Sequence, residues 1–335
     1  MRKHKGLKSA ALALAAFALI ASACGSDDNA ASDEATDDTA AEEVTEETAA
    51  PLPGAGTLAC MVTDTGGVDD KGFNQISYEG MKKAESELGV TIDLLESSSD
   101  ADYAPNLQSF ADKGCNITVT VGFLLGDATK AAAEANAGLS YAIVDYAYDP
   151  PIANARGLVF ATDQPSFMAG YMAAAMTKTG TVATYGGVNI PPVTVFMEGF
   201  RLGVEYYNAQ KGATVKLLGW DGKDGTFAGN FESLDDGKNI AKSQADEGAD
   251  IIFPVAGPVG LGSAQFAKES GGSVRIIGVD VDMSKSNPDA AEVYIASVLK
   301  NIDAAVFAAI KDTVDGAATS DNYVGDRKST RLNSS

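Results

Sequence analysis

One feature limits the possible folds more than any other. From Leu58 onward, short apolar runs alternate with segments whose apolar residues recur every three to four positions. The runs have strand length, and the recurrence is that of an amphipathic helix. The first cycle predicts strands at 58–63, 90–95, 117–121 and 141–144, separated by helices at 73–88, 102–113 and 128–137. A short strand at 158–160 and a helix of small residues at 165–178 follow. The second cycle predicts strands at 181–185, 215–218, 250–254 and 274–279, with helices at 193–210, 236–247 and 261–269. A strand at 292–299 and a helix at 301–314 come last. Such alternation builds right-handed βαβ units on parallel sheets. The expected class is therefore α/β in two lobes, each a parallel sheet flanked by helices: residues 56–178 with 297–325 in lobe 1, and 179–296 in lobe 2.

In open parallel sheets, ligands bind in the crevice beyond the carboxyl ends of the strands. The loop after the first predicted strand lies there, and it carries the carboxylates of Asp64, Asp69 and Asp70, the amide of Asn74 and the ring of Phe73. Asp64 and Asp280 end strands directly, which makes them ligand candidates; Asp70 stands before a helix and suits a cap as well as a ligand. Phe73 fits the apolar face of its helix and, at the helix start, also fits a ring facing the cleft. Phe227 is a second isolated ring, in a loop of the other lobe. Carboxylates accept paired hydroxyls, so these acids suit a vicinal diol such as a ribose, while two rings suit a planar base. The glycine-rich run from Gly257 to Gly262 reads as a tight strand-to-helix turn.

Other features exclude functions. The only histidine is His4, within a basic and then apolar leader, so histidine-dependent hydrolysis and histidine-ligated metal sites have no residues to build on. The chain carries −21. Setting aside the leader's basic residues and the ten acids between Gly25 and Thr48 leaves about −15 on the body, which argues against nucleic acid as a partner. Residues 1–23 read as an export signal ending before Cys24, and small residues before a cysteine fit a lipoprotein signal. Residues 24–55 read as a disordered acidic tether. Cys60 and Cys115 become sheet neighbours if the strand order is 2-1-3; a disulfide and two buried free thiols both remain open. Residues 326–335 fit nothing before them in composition and resemble the read-through of a sequencing-library adapter, so the native chain is expected to depart near Gly325.

The loop residues also carry a resemblance. Asp64, Gly66, Gly67 and Asp70 to Gln75, followed by Ser77 to Gly80, are similar to the signature of the basic membrane protein family of ABC-transporter substrate-binding lipoproteins, which includes purine nucleoside receptors. The similarity continues through Gly122 and Phe123, Ile143 to Asp145, Gly186 and Gly187, Glu198 to Phe200, Pro254 to Gly257, Gly278 to Asp282 and Ser297 to Asn301. It implies a type I periplasmic-binding-protein fold that is not an enzyme. It further implies an extracytoplasmic monomer anchored to the membrane by lipid on Cys24, a nucleoside ligand, an ABC permease as partner, and no cofactor or metal. Transferred residue by residue, Phe73 would stack on the base, with Asn74 and Asp145 on its edge. Asp64, Gly257, Asp280 and Lys300 would surround the sugar, and Phe227 would be the opposing ring. Met283 stands where the family usually has glutamine, which leaves the sugar side open. A sugar receptor on the same fold and a carboxylate-dependent nucleosidase are the competing readings.

Overall fold

The computed structural model describes residues 51–326 and 328–334. The leader, Cys24 and most of the acidic tether lie outside the described residues. Of the tether, the last residues are docked: the Gly54 N–H donates to the Leu88 carbonyl at 2.7 Å, and Gly54 is buried against Val90.

The first half alternates as expected: β1 (Leu58–Thr63), α1 (Phe73–Leu88), β2 (Thr91–Leu95), α2 (Tyr103–Lys113), β3 (Ile117–Val121), α3 (Gly126–Ala135), β4 (Ser140–Val144) and β5 (Ala155–Phe160). Then come α4 (Asp163–Met176), β6 (Thr181–Gly186), α5 (Pro191–Lys211), β7 (Lys216–Leu218), α6 (Leu234–Asp246), β8 (Ile251–Val255), α7 (Val259–Glu269), β9 (Arg275–Asp280), the short α8 (Met283–Ser286) and β10 (Tyr294–Lys300). The chain continues through α9 (Ile302–Val314), β11 (Tyr323–Gly325) and β12 (Thr330–Ser334).

Among the described residues the strands form two six-stranded sheets, ordered β11-β5-β4-β3-β1-β2 and β12-β10-β9-β8-β6-β7. All pairings are parallel except β12 with β10. The fold is thus the expected two-lobed α/β type. Helices end where the chain needs a left-handed residue, as at Gly89 with φ 75° closing α1.

The lobe boundaries differ from those expected. Helix α4 packs on α5 and against β10 and β12, so it belongs to the second lobe. The reason is its small residues: a Cβ at Gly170 would lie 2.0 Å from the Phe200 carbonyl oxygen, and one at Gly203 of α5 would lie 2.1 Å from that of Phe167. Strand β10 lies in the second sheet, and the chain returns to the first lobe only with α9, which packs on α1. The chain therefore passes between lobes after β5, after β10 and after β11. Thr330–Ser334, read from composition as foreign, pairs with β10 and sets Leu332 on the second core. A sheet edge pairs through backbone groups, so it accepts extended segments of many sequences.

Strand order 2-1-3 places β1 beside β3, and Cys60 and Cys115 form a buried disulfide with Cα atoms 6.0 Å apart. This resolves the two readings of the cysteines in favour of the bridge.

Candidate functional site

The carboxyl ends of β1, β3 and β4 in one sheet and of β8, β9 and β10 in the other converge on one cavity. Of the residues expected from sequence, Asp64, Phe73, Asn74, Asp145, Gly257, Asp280 and Lys300 line it.

The polar groups are held firmly. Asp70 accepts from the backbone N–H groups of Gly72, Asn74 and Gln75 at 2.9, 2.8 and 3.0 Å. It therefore caps the first turn of α1, and this fixes Phe73 and Asn74 at the cavity. Asn74 Nδ2 donates to Asp64 Oδ1 at 3.0 Å and to the Thr65 carbonyl at 3.3 Å. Asn74 Oδ1 is buried without a hydrogen-bond partner, an acceptor whose unmet need costs stability until a donor arrives. Gly122 has φ 114°, and a Cβ there would come 2.3 Å from Asp64 Oδ2, so only glycine lets β3 pass this carboxylate.

Asp145 and Asp280 adopt φ of 66° and 65° at their strand ends. This conformation is strained for non-glycine residues and typical of functional positions. It aims both carboxylates at Lys300, whose Nζ lies 2.7 Å from Asp145 Oδ2 and 3.4 Å from Asp280 Oδ1. Burial alone would lower the lysine's affinity for its proton, but the two carboxylates hold its pKa above the ordinary value. Lys300 Nζ also sits 4.8 Å from the Phe73 ring centroid and 5.4 Å from that of Phe196. Phe73 thus meets both of its sequence readings, packing on the first core with one part and lining the cavity with another.

Burial pushes the Asp64 carboxyl up to about 8. Burial also raises Asp280, with Lys300 opposing.

Phe227 does not line the cavity. Its ring packs edge-on to Trp220 at 6.2 Å and lies over Gly186, in the second core. Phe231, four residues on in the same loop, lines the cavity instead. A Cβ at Gly186 would strike the Phe227 ring at 2.6 Å and one at Gly187 the Phe231 ring at 2.3 Å, so this glycine pair seats both rings. Asp282 turns to Lys285, Ser284 and Asn333 instead of the cavity. Gly262 lets α7 approach α6, with its Cβ position 1.9 Å from the Leu234 carbonyl oxygen, so the glycine-rich run serves packing apart from Gly257. Sequence reasoning missed Phe123, Ile190, Pro192, Val193 and Phe196. Only Phe123, two residues past the end of β3, carried a positional signal.

The family model described as Bmp, ABC transporter substrate-binding protein PnrA-like, matches residues 57–323. Basic membrane protein A of Borreliella afzelii is 34% identical over 226 residues, covering 67% of this chain and 66% of that protein. The ABC transporter nucleoside-binding protein BmpA of Lactococcus lactis subsp. cremoris is 31% identical over 275 residues, covering 77% of this chain and 75% of that one. Matches to several of the basic membrane proteins span just under two thirds of the relatives' length, 63% to 66%. The crystal structure of an ABC transporter solute-binding protein from Aeropyrum pernix K1 has a TM-score of 0.76 at 27% identity, covering 83% of this chain and 76% of that one.

Proposed function

This chain belongs to the family of PnrA-like ABC transporter substrate-binding proteins, and we propose that its cleft captures a ribonucleoside, with a preference for purines, and delivers it to a membrane permease. The family is one of binding proteins, not enzymes. The observation that carries the reading is that one cavity receives complementary groups from both lobes: Phe73, Asn74 and Asp145 from the first, Phe231, Gly257, Asp280 and Lys300 from the second. Phe73 and Phe231 both line the cavity and suit a planar base, and Asp280 with Lys300 suits ribose hydroxyls. Asn74 Oδ1 gains its missing donor from the ligand. Contacts to both lobes favour the closed form, the form a permease can distinguish from the open one. Cys24 carries the lipid that keeps the body at the membrane, outside the cytoplasm, and the body acts as a monomer.

A thermal-shift panel tests this reading. At 100 times Kd a ligand stabilises the native state by about 2.7 kcal/mol. Guanosine, inosine or adenosine should raise the melting temperature by several degrees, beyond the shifts from free bases or hexoses. Stabilisation by hexoses alone would overturn the nucleoside and favour a sugar receptor.

A further inference from the structure

The lining acids and the lining cations do not balance. Four carboxylates, Asp64, Asp70, Asp145 and Asp280, line the cavity, and Lys300 is the one cation among the lining residues. Lys300 is committed to Asp145 and Asp280, and Asp70 is satisfied by its three backbone donors. Asp64 is left with a single side-chain donor, Asn74 Nδ2 at 3.0 Å, and with Oδ2 facing the bare Gly122.

The surroundings disfavour its ionised form. Asp70 in the same loop, Asp145 after β4 and Glu232 before α6 add their negative charges to its desolvation, while Tyr103 of α2 is uncharged at neutral pH. Asp280 and Lys300 stand across the cavity, and the lysine's charge is already more than offset by its two partners. A half-buried carboxyl in so acidic a setting keeps its proton at neutral pH until a ligand binds, in agreement with its raised pKa.

We propose that Asp64 couples ligand capture to proton release, accepting a pair of hydrogens from the ligand only as the carboxylate. This rests on reading the cleft as a nucleoside site. As the acid, Asp64 has one donor and reduced acceptor capacity; as the anion, it accepts two hydrogen bonds side by side. A vicinal diol or the N–H edge of a base supplies both hydrogens, replacing the donors that the protein withholds. The proton lost from Asp64 passes to solvent. Charge-assisted hydrogen bonds in a closed, dry site offset the cost of the buried anion. Only the ionised fraction is competent to bind, so apparent affinity falls as pH drops below the carboxyl's pKa and levels off above it. The class of ligand follows: an uncharged molecule with adjacent donors, held more tightly at neutral to alkaline pH and released in acid.

Isothermal titration calorimetry of the wild-type chain with guanosine and with adenosine, from pH 6 to pH 8, provides the test. Kd should fall on the order of tenfold or more across that range. At pH 7, paired buffers of different ionisation enthalpy should report release of about one proton per nucleoside. Asp64→Asn, which keeps shape and cannot titrate, should flatten the profile. Equal affinity at all pH values with no proton release overturns the coupling and leaves the nucleoside reading intact. Absence of binding by any nucleoside at any pH removes the nucleoside reading itself. A slope that persists in Asp64→Asn assigns the coupling to another group. If that variant does not fold, the wild-type proton count decides alone.

Discussion

The two walls of the cleft differ in chemistry. The first lobe presents Asp64, Asn74 and Asp145 beside Phe73 and Phe123, whereas the second presents Ile190, Pro192, Val193, Phe196, Phe231, Val255 and Val279, relieved by Asp280 and Lys300. The polar wall is positioned by strand ends and by a capped helix start; the apolar wall is the first turns of α5, the loop before α6 and the valines at the ends of β8 and β9. A polar wall discriminates between ligands, because a mismatch strands a buried donor or acceptor. An apolar wall adds burial to any ligand of the right size. Lys300 joins them, standing on the second sheet while pairing with Asp145 of the first.

The largest expected effect comes from breaking that joint. Lys300→Met leaves Asp145 and Asp280 buried without a cation. Removing one partner of a buried ion pair typically costs about 3–5 kcal/mol, so urea unfolding should show a loss of that order. A loss below about 1 kcal/mol would mean that the ion cluster does not join the walls. The aromatic residues give smaller effects, in a definite order. Phe73→Ala should weaken nucleoside binding by about 1–3 kcal/mol. Phe231→Ala should weaken it less and by equal amounts for all ribonucleosides. Phe227→Ala should lower the melting temperature and leave affinity unchanged, because its ring packs on Trp220 and Gly186. Equal losses from all three, measured by calorimetry, would erase the distinction between the cavity wall and the second core.

Part of the polar wall was legible in the sequence because a strand end in a parallel sheet faces the crevice whatever else surrounds it. Asp64 and Asp280 were read from that rule, whereas Asp145, which follows β4, came from the family resemblance. The apolar wall was not legible: Val193 and Phe196 occupy ordinary core positions of an amphipathic helix, and nothing in their spacing separates a cavity wall from a packed interior. Phe227 and Phe231 show the same limit. Two rings four residues apart in one loop trade roles through Gly186 and Gly187, a long-range contact invisible to local pattern. The lobe boundary at α4 was missed for a related reason. Its small residues lack an amphipathic stripe, and their meaning appears only once α5 lies against them.

The most direct measurement is a crystal structure of the chain with guanosine. The purine should lie between Phe73 and Phe231, with Asn74 Oδ1 accepting a ligand hydrogen and the ribose hydroxyls at Asp280 and Lys300. A nucleoside bound outside this cavity, or one whose ring touches neither phenylalanine, would contradict it.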